Sequence, residues 1–187
     1  GFLRNLLISG DMTIRYYKKT PRILPSATVF RKSVCENVWF DEALKNYNDQ
    51  DFFIRFSVKT KFLFVNDIYI KRRVTPGSLS RGEFSYNSLL VFERFYFHLG
   101  GKKLIPRRTA FKKISEHYRG LAKKHYKEGG RKAAVELFKK AVRFYPYHWK
   151  NYRGLLKAML LSRKNDKLAE WQMPKSLPPY ITISHKL

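Results

Sequence analysis

The chain has 187 residues, 39 of them Lys or Arg against 14 Asp or Glu, for a formal net charge of +25. Hydrophobic residues make up 44% and aromatics 16%, enough to bury a core, which argues against global disorder. No apolar run approaches the roughly 20 residues that cross a bilayer as a helix, and no secretory pattern opens the chain. The single Cys35 excludes an internal disulfide; it fits a reducing compartment and reads first as a small buried apolar residue. The sequence starts at Gly1 inside a helical pattern, so a fragment of a longer protein is expected.

An excess of this size predicts attraction to polyanions: nucleic acid, an anionic membrane face or phosphorylated molecules. The cations are densest after residue 100, where a solvated basic helix face is the plain alternative to an anion-binding surface.

In chain order, Phe2, Leu3, Leu6 and Leu7 fall at helical spacing, with Gly10 as the stop. Pro21 and Pro25 bracket an extended piece, Ala27 to Phe30 read as a buried strand, and Ser33 caps a one-turn helix running to Val38. The stretch Phe40 to Arg55, FDEALKNYNDQDFFIR, sets Asn48, Asp49 and Asp51 ahead of an aromatic run. Asp49 or Asp51 opens a helix to Lys59, with Phe52, Phe53 and Phe56 as its apolar face. A carboxylate held there suits a general base; it equally suits a helix N-cap, which is the commoner use of Asp before an apolar run. Phe62 to Val65 and Ile68 to Val74 read as two short strands, followed by a loop, Thr75 to Ser78, flanked by Arg72, Arg73 and Arg81.

An aromatic helix follows from Ser85 to His98; Gly100-Gly101 breaks it, and Pro106 marks a border. The remainder reads as helices over Arg108–Tyr126, Arg131–Phe144 and His148–Ser162. Tyr118, Leu121, Ala122, Ala134, Phe138, Ala141 and Pro146 fall at the spacing of the 34-residue tetratricopeptide repeat. One repeat makes a helical hairpin, not a solenoid. The expected domains are 1–105, a helical extension over 106–170, and an irregular tail over 171–187 with Pro174, Pro178 and Pro179.

Three segments taken together, Leu24 to Lys32, Phe40 to Arg55 and Arg72 to Arg81, resemble the second half of GT-A-fold glycosyltransferases of family 2. Phe40-Asp41-Glu42 is similar to that family's turn, Asp49-Gln50-Asp51 to its acidic segment and Arg55 to its helix arginine. Asn48 stands where the family has Glu, and Thr75 where many members have His. The resemblance implies an α/β fold class: a partial GT-A fold of a few strands with flanking helices, followed by an all-α C-terminal segment. It implies an inverting sugar transfer from a nucleotide-sugar to an acceptor hydroxyl, with Asp49 as general base. Asp51, Asn48, Arg55 and Ser26 would line or support the acceptor site; Arg73, Thr75, Ser78 and Arg81 would close over the donor diphosphate. A divalent metal, Mg or Mn, is expected for the complete enzyme, its ligands outside this chain. The five histidines (His98, His117, His125, His148, His185) form no ligand pattern with Cys35, and the chain alone is expected to be inactive.

The implied partners are a nucleotide-sugar and a glycan or lipid-linked acceptor. The expected location is cytoplasmic, with basic helices resting on the anionic inner membrane face. Two other readings compete: a helical adaptor or scaffold, and a basic nucleic-acid-binding protein, the latter without any helix-turn-helix, zinc or RNA-recognition signature.

Overall fold

The computed structural model describes residues 10–21, 23–36, 38–44, 46–65, 71 and 86–160. Its helices are α1 (Thr13–Lys19), α2 (Lys32–Cys35), α3 (Asn48–Lys59), α4 (Tyr86–His98), α5 (Gly101–Leu104), α6 (Arg107–Lys127), α7 (Arg131–Phe144) and α8 (Trp149–Leu160), with a one-turn 3-10 helix at Pro25–Ala27.

α3 and α4 bury the faces that their apolar spacing predicts. In α3, Phe52, Phe53, Ile54 and Phe56 are buried; in α4, Leu89, Val91, Phe92 and Phe95 are. Tyr17 of α1 closes this half, edge-on to Phe92 with centroids 5.1 Å apart and with its hydroxyl donating to the Phe92 carbonyl. Gly101 lies so close beneath α4 that a Cβ there would sit 2.7 Å from the Phe95 carbonyl oxygen, so only glycine allows the chain to fold back at that point.

Between Pro106 and Leu160 the chain packs helix on helix. α6 and α7 are joined by a turn through Gly129 (φ 87°) and lie against each other along Leu121, Ala122, Ala134, Leu137 and Ala141, all essentially buried. The small residues let the two backbones approach closely. α8 rests on α7, and Gly154 lies directly over the Phe138 ring, where a Cβ would overlap it. One buried apolar cluster runs from Tyr16 through α3, α4, α6 and α7 to Ala158.

This architecture corrects the expected α/β class. Among the described residues there is no strand ladder, and the sheet-like pairing present is a single antiparallel bridge between Gly10 and Phe62. The strand expected at Ala27–Phe30 does not form: Ala27 closes the 3-10 turn, and Val29 is fully exposed. The run Phe62–Val65 pairs through Phe62 alone, with Leu63 at 80% exposure. A short apolar run without alternation carries no information about which face is buried, so it reads as a core strand although Phe62 packs inward and Leu63, Phe64 and Val65 are exposed. The strand and loop expected over 68–78 fall outside the described residues, apart from Lys71. The resemblance to a GT-A glycosyltransferase half therefore fails on its central requirement, a sheet.

Candidate functional site: a cationic and apolar helix surface

The residues singled out by the sequence are placed as follows. Asn48 and Asp49 form the first turn of α3, behind Tyr47 in a left-handed conformation (φ 63°). Asn48 Oδ1 accepts from the Asp49 amide and Asp49 Oδ1 from the Gln50 amide, both at 2.8 Å. These are amides that the helix cannot satisfy internally, so both side chains serve the helix start. Asp49 is half-buried, and its charge and that of Asp51 reach Tyr16, whose hydroxyl pKa is raised first by burial and then by those two carboxylates. Ser26 is exposed on the 3-10 turn. Arg73, Thr75, Ser78 and Arg81 lie outside the described residues.

Asp51 and Arg55 belong to a buried ion cluster. Arg55 Nε and Nη2 both donate to Asp51 Oδ2, at 2.9 and 2.7 Å, and Nη2 also reaches the Trp39 carbonyl. Asp51 Oδ1 accepts from Arg94 Nη2 at 2.9 Å, which donates at 2.8 Å to Asp41 Oδ2 as well. Asp51 and Arg94 are 1% and 4% exposed. Two carboxylates against two guanidiniums make a neutral set, which ties α3, α4 and the Asp41 turn together. Asp51 and Asp41 are thus occupied by arginines and do not fit a divalent metal; among the described residues no three His, Cys, Asp or Glu side chains gather as ligands. Sequence reasoning missed Arg94. Its signal is a lone cation inside the aromatic helix YNSLLVFERFYFH, which must find a carboxylate if it is buried.

Other polar groups sit between α4 and α6. Ser88 Oγ and His117 Nδ1 share a buried hydrogen bond of 2.9 Å. His117 also lies against Phe92, and its pKa is lowered to about 3 by burial, then by Lys113. Tyr118 donates to Glu93 Oε1 at 2.8 Å, and burial raises the Glu93 pKa.

The surface with chemistry to offer is on the C-terminal helices. α8 buries Asn151 and Ala158 toward α6 and α7. Its opposite side carries Trp149, Tyr152, Leu156, Met159 and Leu160, each between 47% and 70% exposed. These recur three and four residues apart and so form one continuous stripe. Lys150, Arg153 and Lys157 line a second exposed stripe beside it. Arg153 lies over the Trp149 ring at 5.6 Å, and Lys157 over Tyr126 at 5.8 Å. The helix was expected from the sequence, but its outward apolar stripe was not, because apolar residues occur on both of its sides.

No helix among the described residues is long and apolar enough to cross a membrane. No family model, no curated protein and no solved structure matches this chain. The glycosyltransferase reading, with its GT-A fold, therefore has neither a relative nor a sheet behind it.

Proposed function

We propose that the protein is a helical adaptor whose α8 seats an amphipathic helix with an acidic margin from a partner protein. The observation that carries this reading is the exposed stripe Trp149, Tyr152, Leu156, Met159 and Leu160 on a helix already packed along its other side. An uncovered row of large apolar side chains on one helix matches the helix-in-groove mode of recognition, with anchors at three- and four-residue spacing. Arg153 and Lys157 flank the row, so the complementary partner carries carboxylates along one edge of its apolar face. The 12 residues of α8 offer a docking length of roughly 18 Å, about three turns of a partner helix. The sugar-transfer reading is not carried forward, since the resemblance that supplied it is overturned.

The test is fluorescence anisotropy with the full chain and a labelled synthetic helix bearing leucines at that spacing and glutamates along one edge. Saturable binding is expected. Trp149→Ser with Leu156→Ser should weaken it at least tenfold, about 1.4 kcal/mol. Arg153→Gln with Lys157→Gln should weaken it less and flatten its salt dependence. Binding that ignores the Trp149 and Leu156 pair refutes the adaptor reading. So does a chain that sediments as a dimer through the same residues, because the occupant is then a second copy.

A further inference from the structure

The cationic side of α6 has an organisation that the adaptor reading does not use. Lys112, Glu116, Arg119 and Lys123 recur on one face of α6, and the start of α8 brings His148 and Lys150 beside them. Arg119 is not a loose surface arginine. Its Nη1 donates to Asn151 Oδ1 at 3.2 Å. Asn151 is fully buried, and its Nδ2 faces three acceptors: Ser115 Oγ at 2.9 Å and the Ala141 and Tyr145 carbonyls at 3.1 Å. Those acceptors fix which end of the amide faces Arg119, so the core holds the guanidinium in place from behind. Pre-set orientation of this kind is what an arginine needs to present its remaining N–H groups to an anion.

The groups around it are close enough to disturb one another. The Lys123 pKa is lowered, first by loss of surrounding water and then by the charges of Arg119, Lys150 and Lys127. The His148 pKa is lowered in the same way, by loss of water and then by Arg119 and Lys150, with Lys112 adding to it and Glu116 opposing. Among the described residues, Glu116 is the acid whose charge reaches Arg119 and His148, while Lys123 feels Arg119, Lys150 and Lys127. At the other junction of the fold, around Arg94, charges of opposite sign are matched. Here the fold holds like charges together against their repulsion, and an anion from outside would relieve it.

We infer that Arg119, Lys123, His148 and Lys150 form a binding site for a phosphate-type anion with at least two negative charges, such as a phosphomonoester or a diphosphate. A monocarboxylate would satisfy one of these cations; a compact multivalent oxyanion can accept from several at once. Arg119 supplies the directional hydrogen bonds, and Lys123 and Lys150 the flanking charge. The proposal goes beyond the adaptor reading and fails separately from it. Peptide binding depends on Trp149 and Leu156, anion binding on Lys123 and Lys150.

The experiment is calorimetric titration of the full chain with pyrophosphate at fixed ionic strength, with sodium chloride as the blank. A saturable single site is expected, weakened at least tenfold by Lys123→Gln with Lys150→Gln. Both side chains are exposed, so the double variant keeps the fold, checked by its melting curve. Arg119→Lys, which keeps the charge and loses the fork, should weaken binding several-fold. Lys103→Gln with Arg108→Gln removes equal charge elsewhere and should change affinity less than about twofold, as expected for a screened long-range field. The proposal is overturned if pyrophosphate binds no better than chloride, or if the Lys103 and Arg108 pair matters as much as the Lys123 and Lys150 pair. Phosphatidylcholine vesicles with and without phosphatidic acid identify the source. Co-sedimentation that requires phosphatidic acid, and that pyrophosphate displaces, assigns a lipid headgroup; pyrophosphate binding without it assigns a soluble phosphate.

Discussion

The two halves of the molecule close by different means. Around α3 and α4, large rings fill the interior: Phe40 stacks on Phe52 with centroids 4.4 Å apart, and Phe52 stacks on Phe56 at 5.2 Å. Charge enters the core of that half as the matched set Asp41, Asp51, Arg55 and Arg94. Around α6, α7 and α8, Ala122, Ala134, Ala141, Ala158 and Gly154 sit among Leu121, Leu137 and Phe138, and the buried polar groups include Ser115, His117 and the amide of Asn151. The first half spends its sequence on bulk and on long-range ion pairs. The second spends it on close approach, which leaves the large apolar residues of α8 facing outward. That difference explains why the exposed stripe and the unbalanced cations both lie in the C-terminal half.

The comparison breaks most visibly at Arg94. Replacing it with Ala leaves Asp41 and Asp51 with Arg55 as their remaining cation in the set, Asp51 being fully buried. Loss of one partner from a buried pair typically removes about 3–5 kcal/mol. Urea unfolding should show a drop of that size. A variant as stable as the parent would mean that solvent reaches the Asp51 carboxylate and that the cluster does not join α3 to α4.

A smaller effect is expected at Gly154, the tightest point of the second half. Gly to Ala in an exposed helix gains about 1 kcal/mol. Here the new methyl overlaps the buried Phe138 ring, and overpacking of that kind costs about 1–3 kcal/mol. The net change should be destabilising, measured by thermal or urea unfolding. Phe138→Leu makes room, so adding Gly154→Ala to that background should be neutral or favourable. If Gly154→Ala stabilises the parent, α8 sits further from α7 than described.

Much of the second half was legible in the sequence. Helices expected over 108–126 and 131–144 are found at Arg107–Lys127 and Arg131–Phe144, because apolar periodicity and the Gly129-Gly130 turn fix both ends. The first half was misread where periodicity was too short to mean anything. The runs around Val29 and Leu63 hold β-branched and apolar residues, yet both residues face solvent. Arg94 announced itself as a cation needing a partner, but its carboxylates lie 43 and 53 residues away, a distance that no local pattern spans. The sequence offers Asp49 as helix cap or base alike; its Oδ1 accepts from the Gln50 amide at the helix start. The cation cluster of Arg119 and Lys150 was legible only as charge density, since its members come from helices separated by α7 in the chain.

A pH-dependent effect concerns the seam between the halves, where His117 of α6 meets Ser88 and Phe92 of α4. Its folded pKa is lowered to about 3, against 6.5 for an unperturbed histidine, by burial first and by the Lys113 charge second. The folded state therefore favours neutral imidazole, while the unfolded chain takes up a proton near pH 6.5. The stability contributed by neutral His117 is fully present above pH 6.5 and is lost progressively as the pH falls from there toward 3. The slope is about 1.4 kcal/mol per pH unit once the unfolded histidine is protonated. Between pH 6.5 and 5.5 this amounts to roughly 1 kcal/mol. Glu93, whose pKa burial raises, acts in the opposite sense at lower pH, and His125 and His148, both lowered, act in the same sense as His117. The informative quantity is thus the difference between the parent and His117→Gln, whose amide can still bond Ser88 without titrating. Urea midpoints measured from pH 7 to pH 4.5 should converge as the pH falls, because the parent loses stability that the variant never drew from a neutral imidazole. Parallel curves would mean that His117 titrates as freely in the folded protein as in the unfolded chain, and that water enters the seam between α4 and α6.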